Sequence, residues 1–107
     1  MFLEGIAEMK RTSFERVEYS ERFGFMPKGD DLILICGEKD NPRLVQFRCP
    51  CGCGNINRLN LNKSQSPYWD LKVVDDKVSL SPSVHGPLGN KECNSHYFIE
   101  NNQVKWC

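Results

Sequence analysis

The sequence has no long apolar run, no excess of charge of either sign and no export signal. No apolar stretch approaches the roughly 18 residues that a membrane span requires, so we expect no membrane partner. Lys+Arg and Asp+Glu are both 14, and this zero net charge argues against nucleic acid as a partner. The opening segment, residues 1–6, lacks the charged-then-apolar order of a signal peptide. We therefore expect a soluble, cytoplasmic protein.

Helical periodicity and internal repeats are also missing, and the well-marked elements are short strands. Leu32 to Cys36 predicts a buried strand, and Asp75-Asp76 and Asn101-Asn102 predict hairpin turns. Asn41-Pro42 predicts another turn, and the prolines and glycines of residues 81–92 predict a long loop. The predicted fold class is mainly β, with short antiparallel strands and hairpins around a structural metal site. The length of 107 residues suits a single zinc-stabilised domain over 1–107, in which residues 1–44 are the least clearly specified part.

Six cysteines are present, and three of them alternate in the segment Cys49-Pro50-Cys51-Gly52-Cys53-Gly54. Clustered thiolates in a cytosolic chain are more typical of a metal site than of disulfides. Zinc prefers four sulfur or nitrogen ligands in a tetrahedron, so a structural zinc ion is the expected cofactor. The expected ligands are Cys49, Cys51, Cys53 and Cys93. His96 or Cys107 is an alternative for the fourth place, whereas Cys36 in its apolar strand is expected to be a small buried hydrophobe.

Several motifs in order resemble those of one protein family. They are the triple-cysteine segment, Ser81-Pro82-Ser83 and the run from Cys93 through His96 to Ile99. The chain is similar over about residues 45–107 to a bacterial and phage family long catalogued as a domain of unknown function, which resembles zinc-ribbon-like proteins. Some members are encoded beside bacterial ubiquitin-like proteins and their E1- and E2-like conjugation enzymes. One departure is Asn101-Asn102, where the family usually has a glycine that Asn can replace conformationally.

The resemblance implies a role in ubiquitin-like conjugation, with removal of the modifier as the expected activity. Ser83 and His96 match the serine and histidine motifs of the family, which makes them the expected catalytic residues. The chemistry is reasonable, because a serine hydroxyl becomes a nucleophile when a neighbouring neutral histidine takes its proton. A third residue should orient the histidine, and the candidates are Asp70, Asp75 and Asp76.

Other interpretations of the same residues stay open at this point. Ser-Pro-Ser is also an ordinary turn, and Cys-x-x-His is a common pair of metal ligands. His96 as a zinc ligand would favour a zinc-dependent metallopeptidase, and a protein with no catalysis would be a zinc-binding interaction module of the conjugation system. His85 is expected to be an exposed loop histidine, and a role as the base is its less favoured alternative. The aromatic side chains of Trp69, Tyr97, Phe98 and Trp106 would either line a groove or form the core.

Overall fold

Eight strands in two sheets make up the fold in the computed structural model, which describes residues 11–22, 27–86 and 95–107. The first sheet has the strand order β1-β2-β3-β4, with β1 at Arg16–Ser20, β2 at Leu32–Glu38, β3 at Asn41–Arg48 and β4 at Ile56–Asn60. The second has the order β5-β6-β7-β8, with β5 at Asp70–Val74, β6 at Lys77–Gly86, β7 at Ser95–Glu100 and β8 at Gln103–Trp106. These described ranges contain no helix, so none that would traverse a bilayer. The mainly β prediction is confirmed.

Pairing is antiparallel throughout both sheets except between β1 and β2, which run parallel. A forked ion pair joins this parallel pair: Arg16 Nε and Nη2 lie 3.1 and 3.0 Å from the two carboxylate oxygens of Asp31. The hydrogen bonds from Arg16 hold the pKa of Asp31 below its ordinary value of 3.8. The same contact raises the pKa of Arg16. Asp31 immediately precedes β2. The buried strand predicted at Leu32 to Cys36 is confirmed.

Inward-facing side chains from both sheets form one hydrophobic core. Its central contact between the sheets is an edge-to-face pair of Phe47 and Tyr97, with ring centroids 6.5 Å apart. A buried hydrogen bond of 2.6 Å from Asn57 Nδ2 to the Tyr97 hydroxyl also crosses between the sheets. The other buried members of this cluster are Phe14, Ile33, Ile35, Val45, Leu59, Trp69, Val78, Leu80, Val84, Ile99 and Val104. The second sheet therefore turns one face inward and leaves the other, which we call the outer face, toward solvent.

Both predicted hairpin turns of the second sheet are confirmed. Asp75 and Asp76 have φ values of 53° and 60°, and Asn101 and Asn102 have values of 50° and 66°. Positive φ at both central residues defines the tight turn that matches the twist of the flanking strands. Asn102 also ties the β7–β8 turn to β6, because its side-chain oxygen accepts a 2.6 Å hydrogen bond from the buried Val78 N–H.

Two turn or loop predictions are wrong. Asn41 and Pro42 begin β3 rather than forming the preceding turn, which lies at residues 39–40. Proline is tolerated at the start of a strand, so it is a weak marker of the turn itself. The predicted loop over 81–92 is strand as far as Gly86. Strand β6 continues past Pro82 through a shift in its register with β7 between Leu80 and Val84. Residues 87–92 of that prediction lie outside the described residues.

Candidate active site and metal centre

The outer face of the second sheet is built around a bulge in β6. Leu80 pairs with Ile99 and Val84 with Tyr97, so β6 uses four steps where β7 uses two. Both Leu80 and Val84 are buried, and the extra residues between them are pushed outward. Proline has no N–H to give to a ladder, so Pro82 is suited to such a bulge. The consequence is that Pro82 leaves the regular alternation of the strand, because it is exposed where alternation from Leu80 would place a buried side chain.

Ser83 and His96 meet on this outer face. The Ser83 Oγ and His96 Nε2 atoms lie 2.9 Å apart, at the separation of a good hydrogen bond. His96 stands in β7 between the buried Ser95 and Tyr97, so strand alternation turns its ring outward. The structure thus brings together the two residues that the family resemblance singled out. A hydroxyl within reach of an imidazole nitrogen is the geometry of a serine nucleophile and its base.

Trp69 and His85 contact this pair, and neither contact was predicted from the sequence. The indole Nε1 of Trp69, a buried residue next to β5, donates a 3.3 Å hydrogen bond to the Ser83 carbonyl. His85 is the direct cross-strand partner of His96, and the two rings stack with centroids 4.9 Å apart and an angle of 26° between their planes. The expected exposed His85 is indeed exposed, but it lies in a strand instead of a loop. Once β6 and β7 are known to pair, this contact follows from their register.

None of the three aspartates considered as the third member of a triad is hydrogen-bonded to His96. Asp70 forms an ion pair with Lys63, with 3.2 Å between Oδ1 and Nζ. Asp75 and Asp76 form the turn at the opposite end of β6 from Ser83. Within the described ranges, no carboxylate is hydrogen-bonded to the ring of His96. The described part of the site is therefore a serine–histidine pair with a second histidine stacked on it.

The three alternating cysteines converge at the end of β3. The sulfur atoms of Cys49, Cys51 and Cys53 all lie within 4.8 Å of one another, and those of Cys49 and Cys51 are 3.4 Å apart. The Cys49 N–H donates to the Asn55 carbonyl at 2.8 Å, which folds the segment back on itself. Gly52 and Gly54 have φ values of 90° and 87°, a backbone conformation that residues other than glycine rarely adopt. The glycines thus permit the tight path that gathers the three thiols.

This group could hold a metal ion, and its thiols are ligands of the kind that zinc takes. Zinc–sulfur bonds of about 2.3 Å in a tetrahedron place sulfur atoms about 3.8 Å apart. The sulfur atoms of Cys49 and Cys51 are 3.4 Å apart, and all three lie within 4.8 Å of one another, which is the same order. The Asn55 side-chain amide lies 3.3 Å from Cys53 Sγ and can donate to a thiolate there. The described cysteines are all free rather than in disulfides, but the expected ligand Cys93 lies outside the described residues. The grouped ligand atoms include neither His96 nor Cys107.

One contact joins the cysteine group to the strand that carries His96. Cys49 Sγ lies 3.7 Å from the Ser95 hydroxyl, and both residues are buried. Ser95 immediately precedes His96 at the start of β7. A hydroxyl next to a metal-bound thiolate stabilises its charge by donating to it, and is itself fixed in place. The cysteine group therefore contacts the residue that precedes His96 in β7.

An open groove lies on the outer face of the second sheet, and its lining includes Ser81 and Phe98 but neither Ser83 nor His96. It is lined in part by Lys72, Val74, Phe98 and Glu100. Val74 and Phe98 are 48% and 41% exposed, so both present apolar surface to the groove. Phe98 occupies the next outward position after His96 in β7, so the apolar part of the groove begins beside the histidine.

Comparisons with known proteins identify one family. A family model described as "Bacterial ubiquitination-like system serine protease (BubE)" matches residues 19–107. The match takes in both the cysteine group and the serine–histidine pair. No curated protein and no solved structure matches the chain.

Proposed function

Because the chain belongs to the family of serine proteases of a bacterial ubiquitination-like system, we propose that it removes a ubiquitin-like protein from its conjugates or precursor. In this proposal Ser83 is the nucleophile and His96 is the general base. The activity is that of a serine peptidase or esterase. Its partners are the ubiquitin-like protein and the E1- and E2-like enzymes that attach it.

The observation that carries the proposal is the 2.9 Å separation of Ser83 Oγ and His96 Nε2. A family name alone does not say which of the serines acts. Ser83 has its hydroxyl at hydrogen-bond distance from a histidine ring, which is what a serine nucleophile requires. Two residues that line the groove are near this pair in their strands, because Ser81 precedes Ser83 by two positions and Phe98 follows His96 by two.

The reaction follows the usual course of acyl transfer. As Ser83 Oγ attacks the carbonyl carbon at the end of the modifier, its proton passes to His96 Nε2. The carbonyl electron pair moves to oxygen and returns as the bond to the leaving amine or alcohol breaks, and the His96 proton goes to that leaving group. Water, deprotonated by the same nitrogen, then attacks the acyl-enzyme carbonyl. This step releases the modifier with a free carboxylate and returns the proton to Ser83.

A structural zinc ion completes the proposal. Cys49, Cys51 and Cys53 would hold it with Cys93 as the fourth thiolate, and it would stabilise a single β domain over 1–107. In that arrangement the metal does not take part in the reaction. The contact of Cys49 Sγ with Ser95 supports its role as an anchor for β7.

The groove is the basis for proposing that the protein recognises a flexible C-terminal tail of the substrate. Successive side chains of an extended tail point to opposite sides, so every second one can contact the sheet. Phe98 and Val74 offer apolar contacts to such a tail, and Lys72 and Glu100 offer charged ones. The tail would end at Ser83, where its last carbonyl is attacked.

The test replaces Ser83 with Ala and measures cleavage of conjugates assembled by the purified conjugation enzymes of a bacterial ubiquitin-like system. We expect Ser83→Ala to abolish cleavage, since loss of an activated nucleophile removes the covalent step. Ser66→Ala is the control, because it removes an exposed hydroxyl that also precedes a proline but does not line the groove, and it should cleave normally. Normal cleavage by Ser83→Ala, with both variants folded, would show that the serine mechanism is wrong.

A further inference from the structure

The ring of His96 needs more than one contact to be held for catalysis. Its hydrogen bond to Ser83 fixes one nitrogen, but the side chain is exposed, and rotation about the last bond of a histidine is only weakly restricted. A serine–histidine pair ordinarily has an acid that fixes the far side of the ring. Within residues 11–22, 27–86 and 95–107, no carboxylate is hydrogen-bonded to the ring of His96.

The contact that lies against the face of this ring is His85. The two histidines are directly opposite each other in β6 and β7, where side chains on one face of a sheet are close neighbours. Their centroid separation of 4.9 Å and interplanar angle of 26° make this a stacked pair. His85 is itself placed by the pairing that follows the bulge, only two residues after Ser83. The nucleophile, the base and the stacked ring are thus all set by one strand pair.

We propose that His85 is a positioning residue, which holds the His96 ring in the plane that aims Nε2 at Ser83 by stacking on its face. The proposal deepens the proposed function and rests on it for its catalytic consequence. The required property of His85 is its flat ring and not its proton. A phenyl ring at the same position should therefore replace it, whereas a methyl group should not.

The experiment compares His85→Ala and His85→Phe by the rate at which a fluorophosphonate probe labels Ser83. In this labelling, Ser83 Oγ bonds to phosphorus, fluoride leaves and the serine proton goes to His96. We expect His85→Ala to slow labelling by roughly 10- to 100-fold, since small errors in the orientation of catalytic groups have effects of that size. His85→Phe should restore most of the rate. Lys77→Ala, at the exposed far end of β6, is the control for nonspecific effects on the strand.

A second measurement does not depend on activity. The ¹⁵N resonances of the His96 ring report whether Nε2 keeps its hydrogen bond to Ser83. They should shift toward those of a free imidazole in His85→Ala and stay near wild type in His85→Phe. Unchanged resonances and labelling in both variants would refute the positioning role. Loss of labelling in both variants would refute stacking as its basis.

The two proposals fail in different ways. If wild-type protein is not labelled at Ser83, the proposed serine chemistry is wrong, and the His96 resonances alone then decide whether His85 orients the ring. If wild type is labelled and Ser83→Ala is not, the serine chemistry stands, and the His85 variants test the positioning role by itself.

Discussion

Trp69 holds the backbone of the proposed nucleophile through one hydrogen bond. The indole N–H donates to the Ser83 carbonyl, and the ring itself is part of the core. Replacing Trp69 with Phe keeps an aromatic ring but removes the donor, at a net cost of about 0.5–1.5 kcal/mol for the bond, in addition to lost packing. Since the bulge then loses a constraint next to Ser83, we expect kcat to fall while KM changes little.

The comparison for this prediction is Val104→Ala, which also removes core packing but lies in β8, away from Ser83. Steady-state kinetics and unfolding curves of both variants separate the two effects. If Val104→Ala lowers kcat as much as Trp69→Phe at similar loss of stability, the hydrogen bond has no special role.

How far single residues could be predicted depends on the kind of contact they make. The three cysteines are neighbours in the chain, so their spacing alone predicted that their sulfur atoms would meet. Ser83 and His96 are 13 residues apart, and their pairing was suggested by resemblance before the structure placed them 2.9 Å apart. The contacts of Trp69 and His85 depend on strand register, which no local pattern encodes. The catalytic roles of Ser83 and His96 remain predictions.

At the scale of elements, the two asparagines of the β7–β8 turn have different roles. Asn102 accepts from the buried Val78 N–H through its side chain, whereas the side chain of Asn101 is exposed. Asn102→Gly keeps the positive φ but leaves that buried N–H without its acceptor, at an expected cost of about 1–3 kcal/mol. Asn101→Gly suits φ of 50° and should change the free energy of unfolding by less than about 0.5 kcal/mol.

Urea unfolding of the two glycine variants checks this prediction. The pair is well matched, because the substitution is identical and the two positions are adjacent. Equal losses of stability would mean that the hydrogen bond from Val78 N–H to the Asn102 side chain does not stabilise the fold.

Strand β6 shows why element boundaries were harder to predict than the elements themselves. Asp75-Asp76 and the alternation of Val78 and Leu80 correctly indicated a hairpin. The prolines and glycines after Leu80 then suggested a loop, although the chain stays paired with β7 beyond Pro82. Proline weakens a strand locally, but it cannot signal that buried residues on both sides, here Leu80 and Val84, keep the strand in the sheet.

At the scale of the whole molecule, the cysteine group links the end of the first sheet to the start of β7. We therefore expect purified protein to contain one zinc ion per chain, and His96→Ala to keep it, since His96 is not among the grouped ligands. Cys51→Ala should lose zinc and lower Tm, because a structural metal contributes directly to folding. Metal content by mass spectrometry, together with thermal unfolding, checks both.

The metal-centred alternative gives the opposite pattern. Loss of zinc in His96→Ala would make the histidine a ligand and would favour a metallopeptidase. A chelator that stops cleavage while Tm is unchanged would likewise place the metal in the reaction and not in the scaffold.

The hydrogen bond between Ser83 and His96 is exposed to solvent, and this exposure affects what the protein can act on. Water around an imidazole and a hydroxyl weakens their electrostatic interactions by its high dielectric constant, and closing a site removes that screening. A small ester leaves the pair hydrated, whereas a folded modifier lying along the outer face displaces the water around it. The bulk of the substrate would then supply the desolvated environment that this thin sheet does not provide, and selectivity for a protein substrate would follow without a deep pocket.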